Sequence, residues 1–193
     1  MKLHHLLLQV SVLLIFSCSH KPSQQKLDKE TYNLYLESGS KIAGQAQSTL
    51  LSQVSKAMKK GGSLYAVEYC NLKVSDLTDS LNNECNCIIS RVSAKNRNPR
   101  NALETEIEKQ LWEYFLTINN MQMIHDTIVE VGQKAIYYKP ILTGMPTCLQ
   151  CHGPVEEIEV ATYKKIHELY PNDKAVGYGL NELRGLWKIE FNN

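Results

Sequence analysis

Apolar positions along the chain change their period twice, and each change predicts a change of element. Ile42, Ala46, Leu50, Val54, Ala57 and Met58 recur at spacings of three and four, which is one face of an amphipathic helix. Gly61-Gly62 is predicted to end it. Leu64, Val67, Cys70, Val74, Leu77 and Leu81 form the stripe of a second helix, with Asn82-Asn83 as its stop. A short strand is predicted at 88–93. The polar, basic stretch 95–101 is predicted to be a loop, because Pro99 biases Asn98 away from helix. Asn101 followed by Glu104 fits an N-cap with its capping-box partner. Leu103, Ile107, Leu111, Phe115 and Ile118 then give a third helix. From Met123 the period falls to two. Strands are predicted at 127–131 and 134–142, joined at Gly132-Gln133, with a helix at 160–170. The last stretch, 183–191, puts Trp187, Ile189 and Phe191 on one face and Lys188 and Glu190 on the other, the pattern of a half-buried strand. Helices come first and strands cluster later, so the expected class is α+β with an antiparallel sheet.

The first eighteen residues break this pattern. Lys2 precedes an apolar run from Leu6 to Phe16, and the small Ser17 precedes Cys18. This is a secretory signal, too short to span a bilayer as a mature helix. It resembles a bacterial lipobox, in which cleavage falls before the cysteine and the thiol is lipidated. Phe16 is bulkier than such signals usually carry, and a plain signal peptide with an incidental cysteine is the rival. The expected division is a signal peptide over 1–18 with Cys18 lipidated, a polar tether over 19–30 and one domain over 31–193. The protein is therefore expected to be exported and held by lipid to a bacterial membrane, facing the periplasm or the exterior.

Composition adds two limits. The 193 residues are 43% hydrophobic and 21% charged, which suits one folded domain and argues against disorder. The net charge of +1 implies no nucleic-acid partner. Six cysteines beside six histidines are too few for a disulfide scaffold but enough for a cofactor or metal site.

That site has a clear candidate. Cys148-Leu149-Gln150-Cys151-His152 is C-x-x-C-H, the attachment signature of c-type haem. Each thiol adds to one haem vinyl group, and the adjacent histidine is placed beneath the iron as its proximal ligand. Such attachment happens outside the cytoplasm, where the signal sends the chain. Rival readings are half a zinc site completed by Cys85 and Cys87, a thioredoxin-like dithiol, or a simple Cys148–Cys151 disulfide. The dithiol reading lacks a parallel βαβ context, since the motif follows Gly144-Met145-Pro146 in a predicted loop. One motif implies one haem c. Cys85 and Cys87 are too close in sequence to bridge easily. They are left as free thiols, an intermolecular link or a redox element.

Several segments resemble a family of bacterial PAS-like domains that bind a single c-type haem. The family occurs as exported proteins and as input domains of sensors, and was formerly a domain of unknown function. The matching segments are Ala66-Val67-Glu68-Tyr69-Cys70, Arg91-Val92-Ser93, Arg97-Asn98-Pro99-Arg100-Asn101 and Tyr138-Lys139-Pro140-Ile141. They continue through the haem motif to Tyr170-Pro171-Asn172-Asp173-Lys174-Ala175-Val176-Gly177-Tyr178 and Leu183-Arg184-Gly185. The resemblance implies a PAS-like antiparallel sheet flanked by helices, with a long N-terminal helix. It also implies iron held by His152 on one side and Cys70 on the other. The residues alone say only that Cys70 lies on an apolar stripe, where a small core residue is the commoner reading. Met121, Met123, Met145, His125 and His167 compete as sixth ligand, as does an open position. Arg97, Asn98, Arg100 and Asn101 are candidates for contacts to the haem propionates, against a solvated basic loop. Tyr137 and Tyr138 read as strand residues.

The expected function is single-electron transfer with a redox partner protein. The alternative is a haem-based redox or gas sensor. No output segment is expected after residue 193, so a sensor would act through a separate transducer. An enzymatic role would need an open iron position, and Cys70 as ligand argues against one.

Overall fold

A computed structural model describes residues 26–118, 124–132 and 134–192, with the side chains of 73–78 left aside. The signal segment with Cys18, most of the expected tether, Met121, Met123 and Gln133 lie outside the described residues.

The long helix α1 spans Lys29–Cys85 and starts inside the expected tether. Asp28 caps it, its carboxylate accepting the Thr31 amide at 2.9 Å. The predicted stop at Gly61-Gly62 is a kink within α1. Gly62 has a φ of 70°, a left-handed conformation that favours glycine. The kink is tied down from outside. Ser63 and Thr162 hydroxyls lie 2.7 Å apart, and both donate to the Glu159 carboxylate. The second stop also moves. Asn82 spends its side-chain oxygen on the Ile89 amide at 2.7 Å, so the helix runs on to Cys85 and ends at Asn86 in the left-handed region.

Cys85 and Cys87 are joined as a disulfide across that cap, contrary to the expectation that neighbours two apart rarely bridge. The left-handed turn at Asn86 brings their Cα atoms to 5.2 Å, within the ordinary range for a bridge.

β1 (Cys87–Val92) follows, then a short 3-10 turn at Pro99–Asn101 and helix α2 (Glu106–Leu116). The α2 cap is Thr105 with Glu108, one turn later than the predicted Asn101 with Glu104. Both pairs have the right spacing. Glu108 prevails because its carboxylate also meets the Lys188 ammonium at 2.9 Å while accepting the Glu104 and Thr105 amides. Asn98 instead caps the 3-10 turn.

β2 (Thr127–Val131), β3 (Lys134–Leu142) and β4 (Leu183–Phe191) complete a four-stranded antiparallel sheet in the order β1-β4-β3-β2. Between β3 and β4 lie helices α3 (Pro146–His152) and α4 (Val160–Leu169). The α3 turn is a correction, since the haem motif was expected in a loop. Pro146 at its first position presets the helical φ and gives up an amide that would have gone unpaired.

The sheet is covered on both faces. Ala43 and Ala46 of α1 pack on Cys87, Ile89, Ala135, Tyr137, Trp187 and Ile189. Gly39 lets the helix approach so closely that a methyl there would run into the Tyr137 ring. On the other face, Trp112 and Phe115 of α2 pack on Val92, Ile136, Tyr138, Leu183 and Leu186. The expected half-buried β4 is thus an inner strand, covered on both faces. Its Lys188 is only 13% exposed and pairs with Glu108, which is fully buried. The expected architecture, an α+β antiparallel sheet with flanking helices and a long N-terminal helix, is otherwise the one found.

The Glu108–Lys188 pair carries a prediction. Burial opposes ionisation of Glu108, yet hydrogen bonds from Lys188 and two backbone amides hold its carboxyl below the usual range. Burial likewise opposes the charge on Lys188, and Glu108 and Glu190 hold it above the usual lysine range. Glu108→Ala leaves a buried ammonium with only Glu190 of its two partners and should cost about 3 kcal/mol in urea unfolding. The Glu108 share is complete above the unfolded carboxyl value of about 4.3 and is lost as pH falls through the lower folded value. The Lys188 share is complete below about 10.4 and is lost as pH rises through the higher folded value. An unchanged urea midpoint in Glu108→Ala would remove this pair from the account of stability.

Candidate haem site

The α3 helix converts the spacing of the motif into a surface. Cys148, Cys151 and His152 stand at i, i+3 and i+4, so one turn puts both thiols and the imidazole on one face. Both cysteines are free thiols, as is Cys70.

His152 is oriented by the chain that follows it. Its Nδ1 lies 2.7 Å from the Ala175 carbonyl oxygen, so the Nδ1 proton is donated there. That fixes the tautomer and leaves the Nε2 lone pair available to a metal. Burial pushes the imidazole well below its ordinary value, and Arg184 and Arg97 push the same way. The ring is therefore neutral, the form that ligates.

Segment 170–178 holds the motif by its backbone. The Gly177 and Tyr178 amides donate to Gly153 and His152 carbonyls at 2.8 and 2.9 Å, and Lys174 donates to Asn96 at 3.1 Å. Asp173, whose side chain is fully buried, accepts the Ala175 amide at 2.9 Å. It also pairs with Arg97 through Nε and Nη2 at 3.2 and 3.1 Å. Arg97 Nη2 reaches on to the Cys151 and Ala175 carbonyls at 2.6 and 3.2 Å. One guanidinium thus ties the loop, the motif helix and the segment that orients His152.

Cys70 comes from the second half of α1, where Ala66 and Val67 are buried and α4 packs against the helix. It is half-buried and faces this site. Burial pushes its thiol up, while Arg91 and Arg97 pull it down. Burial likewise pushes Cys151 up to about 11, against Arg97 and with help from Cys70 and Cys148. The three thiols therefore feel one another. His125 is exposed, Met145 is exposed at the α3 cap, and His167 packs edge-on to Tyr163.

The structure gathers Cys70, Arg97, Cys148, Cys151 and His152 and adds Arg91, Arg184, Tyr170 and Tyr178. Arg100 is exposed. Asn98 accepts the Arg100 amide at 3.0 Å, and Asn101 engages Ser93 through its main chain. The cations that act on His152 are Arg184, Arg97 and Arg91. The sequence did hold a signal for Arg91, which alternates in register with the buried Cys87 and Ile89.

These residues fit the expected group. Two free thiols and a ligating nitrogen share one helical face, a third thiol approaches from α1, and arginines surround them. A zinc site completed by Cys85 and Cys87 does not fit, because those two cysteines are disulfide-bonded.

Comparison with known proteins gives a family and a fold. A sequence model of the Tll0287-like family matches residues 24–192. The crystal structure of the cyanobacterial heme-protein Tll0287 superposes with a TM-score of 0.65 at 21% identity. The match covers 86% of this chain and 98% of that one. At that identity the likeness is one of fold. No match was found among curated proteins.

Proposed function

The chain belongs to the Tll0287-like family, and from that premise we propose that it is an exported haem c lipoprotein that transfers single electrons. Cys148 and Cys151 hold the haem by thioethers, His152 is the proximal ligand and Cys70 the distal one. Lipid on Cys18 keeps the domain at a membrane surface, where a redox partner protein meets it. Among the described residues no helix is long and apolar enough to cross a membrane.

The observation that carries this reading is the hydrogen bond from His152 Nδ1 to Ala175, inside a C-x-x-C-H helix whose thiols are free. A histidine serving only the core has no need of an open Nε2 beside two cysteines. When bound, the haem iron supplies a reversible one-electron step. The chain's own part is to keep the ligands in place: Arg97 and Asp173 lock the segment that orients His152, and the α4 contact to the kinked α1 presents Cys70. Ligands held on separate packed elements move little between redox states, which suits electron transfer.

The test is carbon monoxide added to the reduced protein, with electron exchange to a soluble c-type cytochrome measured in parallel. Transfer predicts fast exchange and no rapid spectral change with CO. A CO complex formed on mixing would instead mean a labile iron position and favour the sensor reading.

A further inference from the structure

Three arginines converge beside the motif helix, and Asp173 is the one carboxylate paired with them among the described residues. Arg97 occupies it in a two-point ion pair. Arg184, from β4, gives Nη1 to the Ser93 hydroxyl at 3.3 Å and the Lys95 carbonyl at 3.2 Å, but its Nε is buried without a partner. The Tyr178 hydroxyl is buried beside it and also lacks a partner in hydrogen-bond geometry. The Arg184 guanidinium lies 5.6 Å from the Tyr178 ring centre. Arg91, from the neighbouring strand β1, lies 5.6 Å from the Trp187 ring centre and pairs with no carboxylate among the described residues.

Neutral oxygens and ring faces only partly replace the water these cations lose. A buried ion without a counter-ion is unfavourable, so natural structures seldom keep one for packing alone. The strain on the charge is visible. Burial lowers both guanidiniums, Arg184 to about 10, and Arg97 and Arg91 add to the pressure on Arg184.

We propose that Arg91 and Arg184, with the Tyr178 hydroxyl, receive the two carboxylates of the bound haem. This rests on the haem reading above. The charges match, two guanidiniums that meet no carboxylate among the described residues for two propionates, and the planar fork of arginine suits a carboxylate. Arg97 is then a positioning residue, its Nε and Nη2 engaged by Asp173, Cys151 and Ala175. The propionate contacts move from the 97–101 loop to the adjacent strands β1 and β4.

The test uses holoprotein matured with its covalent haem. Arg91→Gln, Arg184→Gln and the exposed control Arg100→Gln are compared by resonance Raman spectroscopy, in which the propionate bending band reports hydrogen bonding to the carboxylates. The band should shift in the first two and stay in place in the third. The thioethers should survive in all three, and the denaturant midpoint should fall in the first two. Arg184→Lys, which keeps the charge but not the fork, should shift the band less than Arg184→Gln and guards against a glutamine variant that fails to fold. Unshifted bands in Arg91→Gln and in both Arg184 variants, or a shift confined to Arg100→Gln, would overturn the assignment. Wild-type protein with no covalent haem at all would instead overturn the proposed function itself.

Discussion

Replacing Cys148 and Cys151 together with alanine is expected to leave a chain that carries no haem through denaturation. On the proposed reading each thiol forms its thioether by adding S–H across a vinyl group, a bond that alanine cannot make. The single variants should differ in degree. Each keeps one thioether, and each should show the spectrum of a haem with one vinyl still unsaturated. Cys148 and Cys151 sit one helical turn apart on α3, with Cys151 also carrying the carbonyl that Arg97 holds. The backbone of the site should therefore persist in the double variant, because the locking contacts of Arg97 are to main-chain oxygens and Asp173. The measurement is haem staining after denaturing electrophoresis, with circular dichroism to show that the chain still folds. Stain retained by the double variant would remove both cysteines from the attachment.

The second large effect concerns Cys70. As the proposed thiolate ligand it would add negative charge at the iron and favour the ferric state. Cys70→Ala should therefore raise the midpoint potential and alter the visible spectrum. Cys70→Met, which offers a neutral sulfur, should raise it too. Axial ligation tunes haem potentials over about 0.8 V, so a rise on the order of a few tenths of a volt is expected. The structure adds a condition. Burial pushes the free thiol up, opposed by Arg91 and Arg97, so the unligated Cys70 thiol is protonated at neutral pH. Ligation as thiolate then releases a proton, and acid should favour loss of the ligand. Spectroelectrochemical titration of wild type and both variants reads the effect. An unchanged potential and spectrum in Cys70→Ala would move the sixth position elsewhere.

How much of this was legible in the sequence varies by element, for physical reasons. The β2–β3 hairpin and β4 were read with their observed bounds, because strict alternation and the turn at Gly132 are local signals. The second face of β4 was not legible, since Lys188 and Glu190 look like solvent residues until Glu108 arrives from α2 to pair with Lys188. The break at Gly61-Gly62 was visible. Its outcome as a kink was not, because the tie to Glu159 and Thr162 spans nearly a hundred residues. The Cys85–Cys87 disulfide was missed because it depends on a left-handed Asn86, which sequence spacing does not reveal.

The candidate site divides the same way. The motif cysteines and His152 announce themselves by spacing alone. Cys70 became a candidate through family resemblance, and the structure turns it toward the motif. The tie that Arg97 makes to Asp173 and two carbonyls was not legible, because those partners lie far along the chain. Arg91 and Arg184 were invisible as a pair until β1 and β4 were set side by side.

The central claim is a haem bonded through both thiols of Cys148 and Cys151. Its most direct test is the reduced pyridine haemochrome spectrum of the full chain, produced together with cytochrome c maturation machinery. The account predicts an α-band at the position of a haem with both vinyl groups saturated, in a ratio of about one haem per chain. No haem after acid-acetone extraction, or a band typical of free protohaem, would contradict it.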